Sequence, residues 1–205
     1  MHTKIFEKII IGLIGKPGSG KETVSKIISE LYPGKVHHVT FSTPLQAFLR
    51  DMGYQEEEID RSTLQLLATN LNKHFGEDTV TRGALLLIQN SSAFIDIVDG
   101  VRWKSDFDGV RSLESSFAHE GPFTKCVMVY VTADPQIRFG RLRARSQRAG
   151  EKDMSKEDFL RQENALTESF IEELGKQADF PIDNNGTLED LKRQVNDLCE
   201  KYVRE

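Results

Sequence analysis

The chain has 205 residues, 38% hydrophobic and 29% charged, with 27 Lys and Arg against 32 Asp and Glu, a formal charge of −5. This composition suits a domain that closes a real core, and it argues against fibrous or disordered structure. A net acidic protein has no electrostatic reason to coat nucleic acid, and the longest apolar run, around Ile9 to Ile14, falls far short of the roughly 20 residues that span a bilayer. With no positively charged leader read before that run, a cytoplasmic protein without nucleic-acid or membrane partners is the expectation.

Five short segments rich in Val, Ile and Phe predict strands over 8–14, 35–41, 93–99, 125–132 and 179–183. Between them the apolar spacing is helical, as in Val24, Ile27, Ile28 and Leu31 or in Leu188, Leu191, Val195, Leu198 and Tyr202. Strands alternating with helices imply an α/β fold, with a five-stranded parallel sheet covered on both faces. Thr187 with Asp190, and Ser155 with Asp158, fit capping boxes at two helix starts. The stretch from Phe41 to Ala93 is too long for one crossover and carries apolar-periodic runs at 45–52, 64–71 and 85–88, so several helices are expected there. Apolar residues between Leu64 and Ile88 serve an interface as readily as a core, which leaves a homodimer open.

Cys126 and Cys199 belong to no C-x-x-C or Cys/His cluster and read as buried thiols, and no histidine has metal-ligand spacing on a helix face. The tetrapeptide Asp-Gly-Val-Arg occurs at 99–102 and again at 108–111. Coincidence is the default reading of the second copy.

Chemistry enters after the first strand, in Gly15-Lys16-Pro17-Gly18-Ser19-Gly20-Lys21-Glu22-Thr23. Three glycines and a proline at fixed positions arise by chance on the order of 0.003 times in a chain of this size. Glycines let the backbone turn its N–H groups inward onto phosphate oxygens, the following helix adds its positive end, and the Lys21 ammonium reaches the outer phosphates. The strict phosphate-loop pattern has Ser or Thr directly after the lysine to hold magnesium. Here Glu22 stands there and Thr23 comes one position later.

Further on, Arg138, Arg141, Arg143, Arg145 and Arg148 crowd a stretch with no acid. Arg138, Arg141, Arg145 and Arg148 would share one helix face, where forked guanidinium contacts suit phosphate oxygens. The polar run 149–154 that follows reads as a mobile lid. After the last strand, Asn185-Gly186 reads first as a turn and helix cap.

The loop spacing Gly-x-Pro-Gly-x-Gly-Lys-x-Thr resembles that of adenylate kinase and its relatives. Phe41-Ser42-Thr43-Pro44-Leu45, the Leu64-Gln65 segment and Phe75-Gly76-Glu77-Asp78 resemble the acceptor half of phage-type deoxynucleoside monophosphate kinases. The stretch from Asp134 to Arg145, the lid and the Asn184-Asn185-Gly186-Thr187 loop are similar to dephospho-coenzyme A kinases. Taken together the chain resembles this group of P-loop kinases, with matches from Gly15 to Leu191.

That resemblance implies a three-layer P-loop fold in one domain, with a core over 1–41, 93–135 and 176–205, an acceptor-binding helical region over 42–92 and a lid over 138–160. It implies transfer of the ATP γ-phosphoryl group to a small-molecule acceptor, a nucleoside or deoxynucleoside monophosphate first and dephospho-coenzyme A second. ATP and Mg²⁺ would be held by Gly15, Pro17, Gly18, Ser19, Gly20, Lys21, Glu22 and Thr23, with the Thr23 hydroxyl on the metal and Asn185 and Gly186 beside the adenine. Lys21, Asp99, Arg141, Arg145 and Arg148 would carry catalysis, and Ser42, Arg50 and Arg102 would meet the acceptor. Relatives commonly have an aspartate just after the second strand, and this chain has Ser42-Thr43 there instead. An ATP-binding regulatory switch with little turnover is therefore the alternative from another class.

Overall fold

The computed structural model describes residues 8–117, 124–145, 154–164 and 168–203. β1 (Lys8–Ile14) is buried along its whole length, the pattern of a parallel strand with helices on both sides. There follow α1 (Lys21–Leu31), β2 (Val36–Thr40), α2 (Thr43–Asp51), a 3₁₀ turn at Glu56–Glu58, α3 (Arg61–Phe75), α4 (Thr79–Gln89) and β3 (Ile95–Val101). Then come α5 (Lys104–Phe117), β4 (Thr124–Thr132), α6 (Pro135–Arg145), α7 (Lys156–Glu163), α8 (Ile171–Gly175), β5 (Phe180–Asp183) and α9 (Leu188–Tyr202).

All strand pairs are parallel, in the order β2-β3-β1-β4-β5. The chain leaves central β1 towards β2 on one side, returns through β3, and crosses to β4 on the other. Such a switch opens a crevice at the carboxyl ends of the strands, where ligands bind in folds of this kind.

Strand alternation splits the core into two layers. Ile9, Ile11 and Leu13 meet Val24, Ile27 and Ile28 of α1 and Leu191, Val195 and Leu198 of α9. Ile10 and Ile14 turn the other way, onto Ala84 and Ile88 of α4, Phe107, Val110 and Leu113 of α5, and Ile171 and Leu174 of α8. Both expected capping boxes form: Thr187 accepts from the Asp190 N–H, and Ser155 accepts from the Asp158 N–H at 3.0 Å. Both cysteines are buried thiols, and burial pushes the Cys126 thiol up to about 12. Among the described residues, no helix is long and apolar enough to cross a membrane.

The third strand differs from its expected bounds. Asp99-Gly100 reads as a turn, but Gly100 has a left-handed φ of 90° and the register slips at the facing Leu13/Ile14, so pairing resumes at Val101. Asp99 therefore precedes a bulge inside a strand, a device that re-aims side chains beside sites. The second Asp-Gly-Val-Arg copy lies within α5 and does structural work. Its Gly109 packs against Leu85 and Thr81, while Arg111 donates to the Cys126 carbonyl at 3.0 Å and pairs with Asp179 at 2.7 Å.

At the opposite end of the sheet, the buried Lys8 ammonium meets Asp96 Oδ2 at 2.8 Å and the carbonyls of Ile88 and Ser91 at 2.8 and 2.6 Å. His37 Nδ1 contacts the other oxygen of Asp96 at 2.7 Å. These contacts tie the starts of β1, β2 and β3 to the end of α4. Asp96→Ala would leave the ammonium buried beside neutral carbonyls alone, so a loss of about 3–5 kcal/mol is expected in urea unfolding. A loss below about 1 kcal/mol would show that these carbonyls suffice.

Candidate active site

The loop between β1 and α1 is threaded through a tight gap. Gly18 and Gly20 have left-handed φ of 77° and 104°, which side-chain-bearing residues rarely adopt. A Cβ on Gly18 would stand 2.8 Å from the Arg138 carbonyl oxygen, and one on Gly20 only 2.1 Å from Asn184 Nδ2. The backbone thus lies directly against α6 on one side and the β5–α9 turn on the other. Gly20 caps α1, whose first residue is Lys21, so the positive end of the helix opens at the loop. Lys21 Nζ donates to the Gly15 carbonyl at 2.7 Å, and the buried Ser19 hydroxyl has no hydrogen-bond partner among the described residues.

Pro17, Gly18, Gly20, Lys21, Glu22 and Thr23 form one wall of a cleft of about 1670 Å³. The end of β2 contributes Thr40, Phe41 and Ser42; α2 and α3 contribute Leu45, Gln46, Leu64 and Gln65; the end of β3 contributes Asp99 and Arg102; and α6 contributes Arg141 and Arg145. Gly15 and Ser19 lie beneath this wall, both buried.

The arginines expected on one face have separate surroundings. Arg138 is 4% exposed and makes a forked pair with Glu163 of α7 at 2.5 and 2.6 Å, while its Nε donates to the Ala133 carbonyl at 2.9 Å. An internal carboxylate answers its charge, which corrects the reading of Arg138 as part of a phosphate clamp. Arg141 Nη2 donates to the Asn184 backbone oxygen at 2.9 Å, but its Nη1 is buried and has no hydrogen-bond partner among the described residues. Desolvation holds the Arg141 pKa below the ordinary guanidinium value. Arg145 lies 3.6 Å from Glu22, whose side chain is largely exposed. Arg148 and residues 149–153 of the expected lid lie outside the described residues.

On the acceptor side, Asp99 Oδ1 is buried with no hydrogen-bond partner among the described residues, and the Ser42 hydroxyl pairs with that of Thr40 at 2.8 Å. Arg102 reaches the cleft but is joined at 3.1 Å to Glu168, which is 2% exposed. Its backbone and that of Trp103 donate to Asp106 at 3.2 and 3.1 Å, a carboxylate raised above its usual range by desolvation. Arg50 does not line the cleft; its guanidinium is tied to Glu56 at the surface. Asn185 and Gly186 are exposed and also outside the cleft lining, with Asn185 Oδ1 accepting from the Asp134 N–H at 2.7 Å.

The residue that touches the loop is the preceding one, Asn184, buried at 5% exposure, whose Nδ2 donates to the Ser19 carbonyl at 2.8 Å. Strand alternation carried one step past Asp183 would have found it, since Ile182 and Asn184 are buried while Asp183 and Asn185 are exposed.

A family model described as an AAA domain, AAA_18, matches residues 11–168. The chain belongs to this family. It is a P-loop kinase-group domain, and its five-stranded parallel sheet with helices on both faces is the fold of shikimate kinase from Bacteroides thetaiotaomicron. That solved structure is 15% identical, with a TM-score of 0.56 over 94% of this chain and 97% of that one. Among sequence relatives, a UPF0200 protein of Methanosarcina acetivorans is 27% identical, covering 95% of this chain and 96% of the relative. A dephospho-CoA kinase of Carboxydothermus hydrogenoformans is also 27% identical, covering 94% of each.

The contrast between the arginines of this P-loop domain is measurable. Arg138→Ala removes both short bonds to Glu163, which keeps Lys16 at 3.8 Å, and is expected to cost about 3 kcal/mol in urea unfolding. Arg145→Ala breaks a pair whose Glu22 partner faces solvent and should cost about 1 kcal/mol or less. Equal costs would refute the division.

Proposed function

We propose that the chain transfers the γ-phosphoryl group of ATP to a small-molecule acceptor bound between α2, α3 and the end of β3. The observation that carries this reading is Arg141 Nη1, buried and, among the described residues, without a hydrogen-bond partner in the cleft that the phosphate loop walls. A guanidinium edge turned away from water with no answering anion is costly, and such a group suits a site whose anion arrives with the ligand.

Phosphoryl transfer asks little covalent work of a protein, and positioning with charge stabilisation dominates. The N–H groups of Gly18 to Lys21 would hold the β-phosphate. Lys21 would exchange the Gly15 carbonyl for the phosphate tail, while Arg141 and Arg145 would stabilise the charge spread over the transferred group. The residues present fit Mg²⁺ as well: Thr23 offers a hydroxyl on the cleft wall, and the unpartnered Asp99 oxygen a carboxylate that would hold it directly or through water. When bound, the ion neutralises charge between the phosphates. Arg148 is assigned to the same clamp, and Asn185 and Gly186 to the rim beside the adenine.

For the acceptor we favour a nucleoside or deoxynucleoside monophosphate, with Ser42 and Arg102 facing it and Arg50 joining only if it leaves Glu56. Dephospho-coenzyme A is the second reading, favoured by the relative that carries that activity in its name and by the Asn184-Asn185-Gly186 turn. A cytoplasmic location accords with either substrate.

A coupled assay with Mg·ATP and a panel of nucleoside monophosphates, deoxynucleoside monophosphates and dephospho-coenzyme A tests the reading. One saturable acceptor is expected, and Lys21→Ala should lower its turnover by about 10²–10³-fold. Arg145→Ala should reduce turnover more than it weakens ATP binding measured by calorimetry. Nucleotide binding without acceptor-dependent turnover across the panel, or a Lys21→Ala variant at the parent rate, would overturn it.

A further inference from the structure

Asn184 occupies the point where three parts of the cleft meet. Its backbone N–H donates to the Thr132 carbonyl at 2.8 Å, which extends the β4–β5 pairing one residue beyond β5. The turn beyond is held by Asp183 Oδ1, which accepts from the Asn185 backbone N–H at 3.0 Å and from its side-chain amide at 2.6 Å. On this fixed base the Asn184 amide donates to the Ser19 carbonyl at 2.8 Å. The residue's backbone oxygen and Oδ1 accept from Arg141 Nη2 at 2.9 and 3.4 Å.

We infer that Asn184 is a positioning residue for phosphoryl transfer, its side-chain amide on the phosphate loop and its backbone oxygen and Oδ1 on Arg141 holding the two in fixed relation so that both grip the same triphosphate. This rests on the phosphotransferase reading above. The chemistry at position 184 calls for an amide, because its nitrogen donates to the Ser19 carbonyl while its oxygen adds a 3.4 Å contact to the guanidinium that the backbone oxygen holds at 2.9 Å. A carboxylate there would repel the Ser19 carbonyl and neutralise Arg141 before any phosphate arrived. An aliphatic side chain would lose the Ser19 contact and leave this residue's backbone oxygen as its one hold on Arg141. The loop has yielded space for this contact as well, since any Cβ at Gly20 would collide with the Asn184 amide nitrogen. Among the described residues, no carboxylate pairs with Arg141; its contacts are neutral oxygens of Asn184, and its Nη1 edge is left over. Neutral acceptors orient the guanidinium without cancelling its charge, which is what a phosphate-binding arginine needs.

The test is titration calorimetry with Mg·ATPγS and Mg·ADP on the parent, Asn184→Ala, Arg141→Ala and the double variant, with melting curves alongside. Each single change is expected to weaken triphosphate binding about tenfold, and the double variant should be no more than about twofold worse than the weaker single, because the two residues act as one unit. Diphosphate affinity should fall less. Single losses that multiply to about a hundredfold in the double variant, or Asn184→Ala binding triphosphate like the parent, would overturn the inference.

Asn184→Asp covers the case in which the alanine variant does not fold. Its carboxylate answers Arg141 and offsets the lost Ser19 bond, so it should melt near the parent while binding triphosphate more weakly. A purely structural asparagine would move melting and affinity together, and parent-like affinity in Asn184→Asp would sink the proposal. If the parent itself binds no triphosphate, the phosphotransferase reading falls and takes this inference with it. If the parent binds but the losses multiply, only the coupling falls.

Discussion

A main chain can grip an anion only where it has come so close to its surroundings that no side chain intervenes, and the loop after β1 meets that condition on two sides. Gly18 is pressed to the Arg138 backbone and Gly20 to the Asn184 amide. Neither contact survives the addition of a Cβ. The left-handed conformation at both positions is thus selected twice, by the turn the loop must make and by the walls it must pass. The rest of the site is organised around this approach. α6 and the β5–α9 turn supply those walls and also present Arg141 to the cleft, so loop shape and arginine placement have a common structural cause.

Charge in this acidic chain is divided by burial. Arg138 and Glu163 meet with both forks engaged and little solvent, and at the far end of the sheet the buried Lys8 meets one oxygen of Asp96 while His37 takes the other. Removing one member of such a pair strands the other, so these pairs fix structure. Arg102 with Glu168 stands between the two classes. Its partner is buried, yet its guanidinium lines the cleft, and Asp106 pins the backbone beneath it. An acceptor phosphate drawing on Arg102 would share it with Glu168, which orients the guanidinium at the expense of part of its charge.

The fold was legible because parallel strands buried on both faces read as apolar runs and their helices as periodic ones. β1 has its expected bounds, and the other strands lie within one or two residues of theirs. The larger displacement, at β3, has a definite cause: Asp99-Gly100 has the composition of a turn, and only the paired register reveals a bulge. The phosphate loop was legible because backbone geometry there demands particular residues. Partners distant in sequence were not. Nothing in the arginine-rich stretch says that Glu163 answers Arg138 or that Glu168 holds Arg102, since those carboxylates arrive through α7 and the segment before α8. Asn184 was missed by one position, because Asn185-Gly186 is the stronger turn signal while the burial alternation of β5 runs on past its last paired residue.

The position after Lys21 shows how the same division bears on ligand exchange. Glu22 stands where the strict loop pattern has a hydroxyl, and a carboxylate there would repel a triphosphate if it turned inward. Its side chain is instead 71% exposed and faces Arg145 at 3.6 Å. With its carboxylate so open to water, Glu22 adds about 0–1 kcal/mol to this contact, so a phosphate at the guanidinium would displace it at little cost. Thr23, one residue on, retains the hydroxyl that the displaced pattern requires. The charges that shape the cleft are costly to separate, whereas the Arg145–Glu22 contact at its rim is one that an arriving phosphate would readily replace.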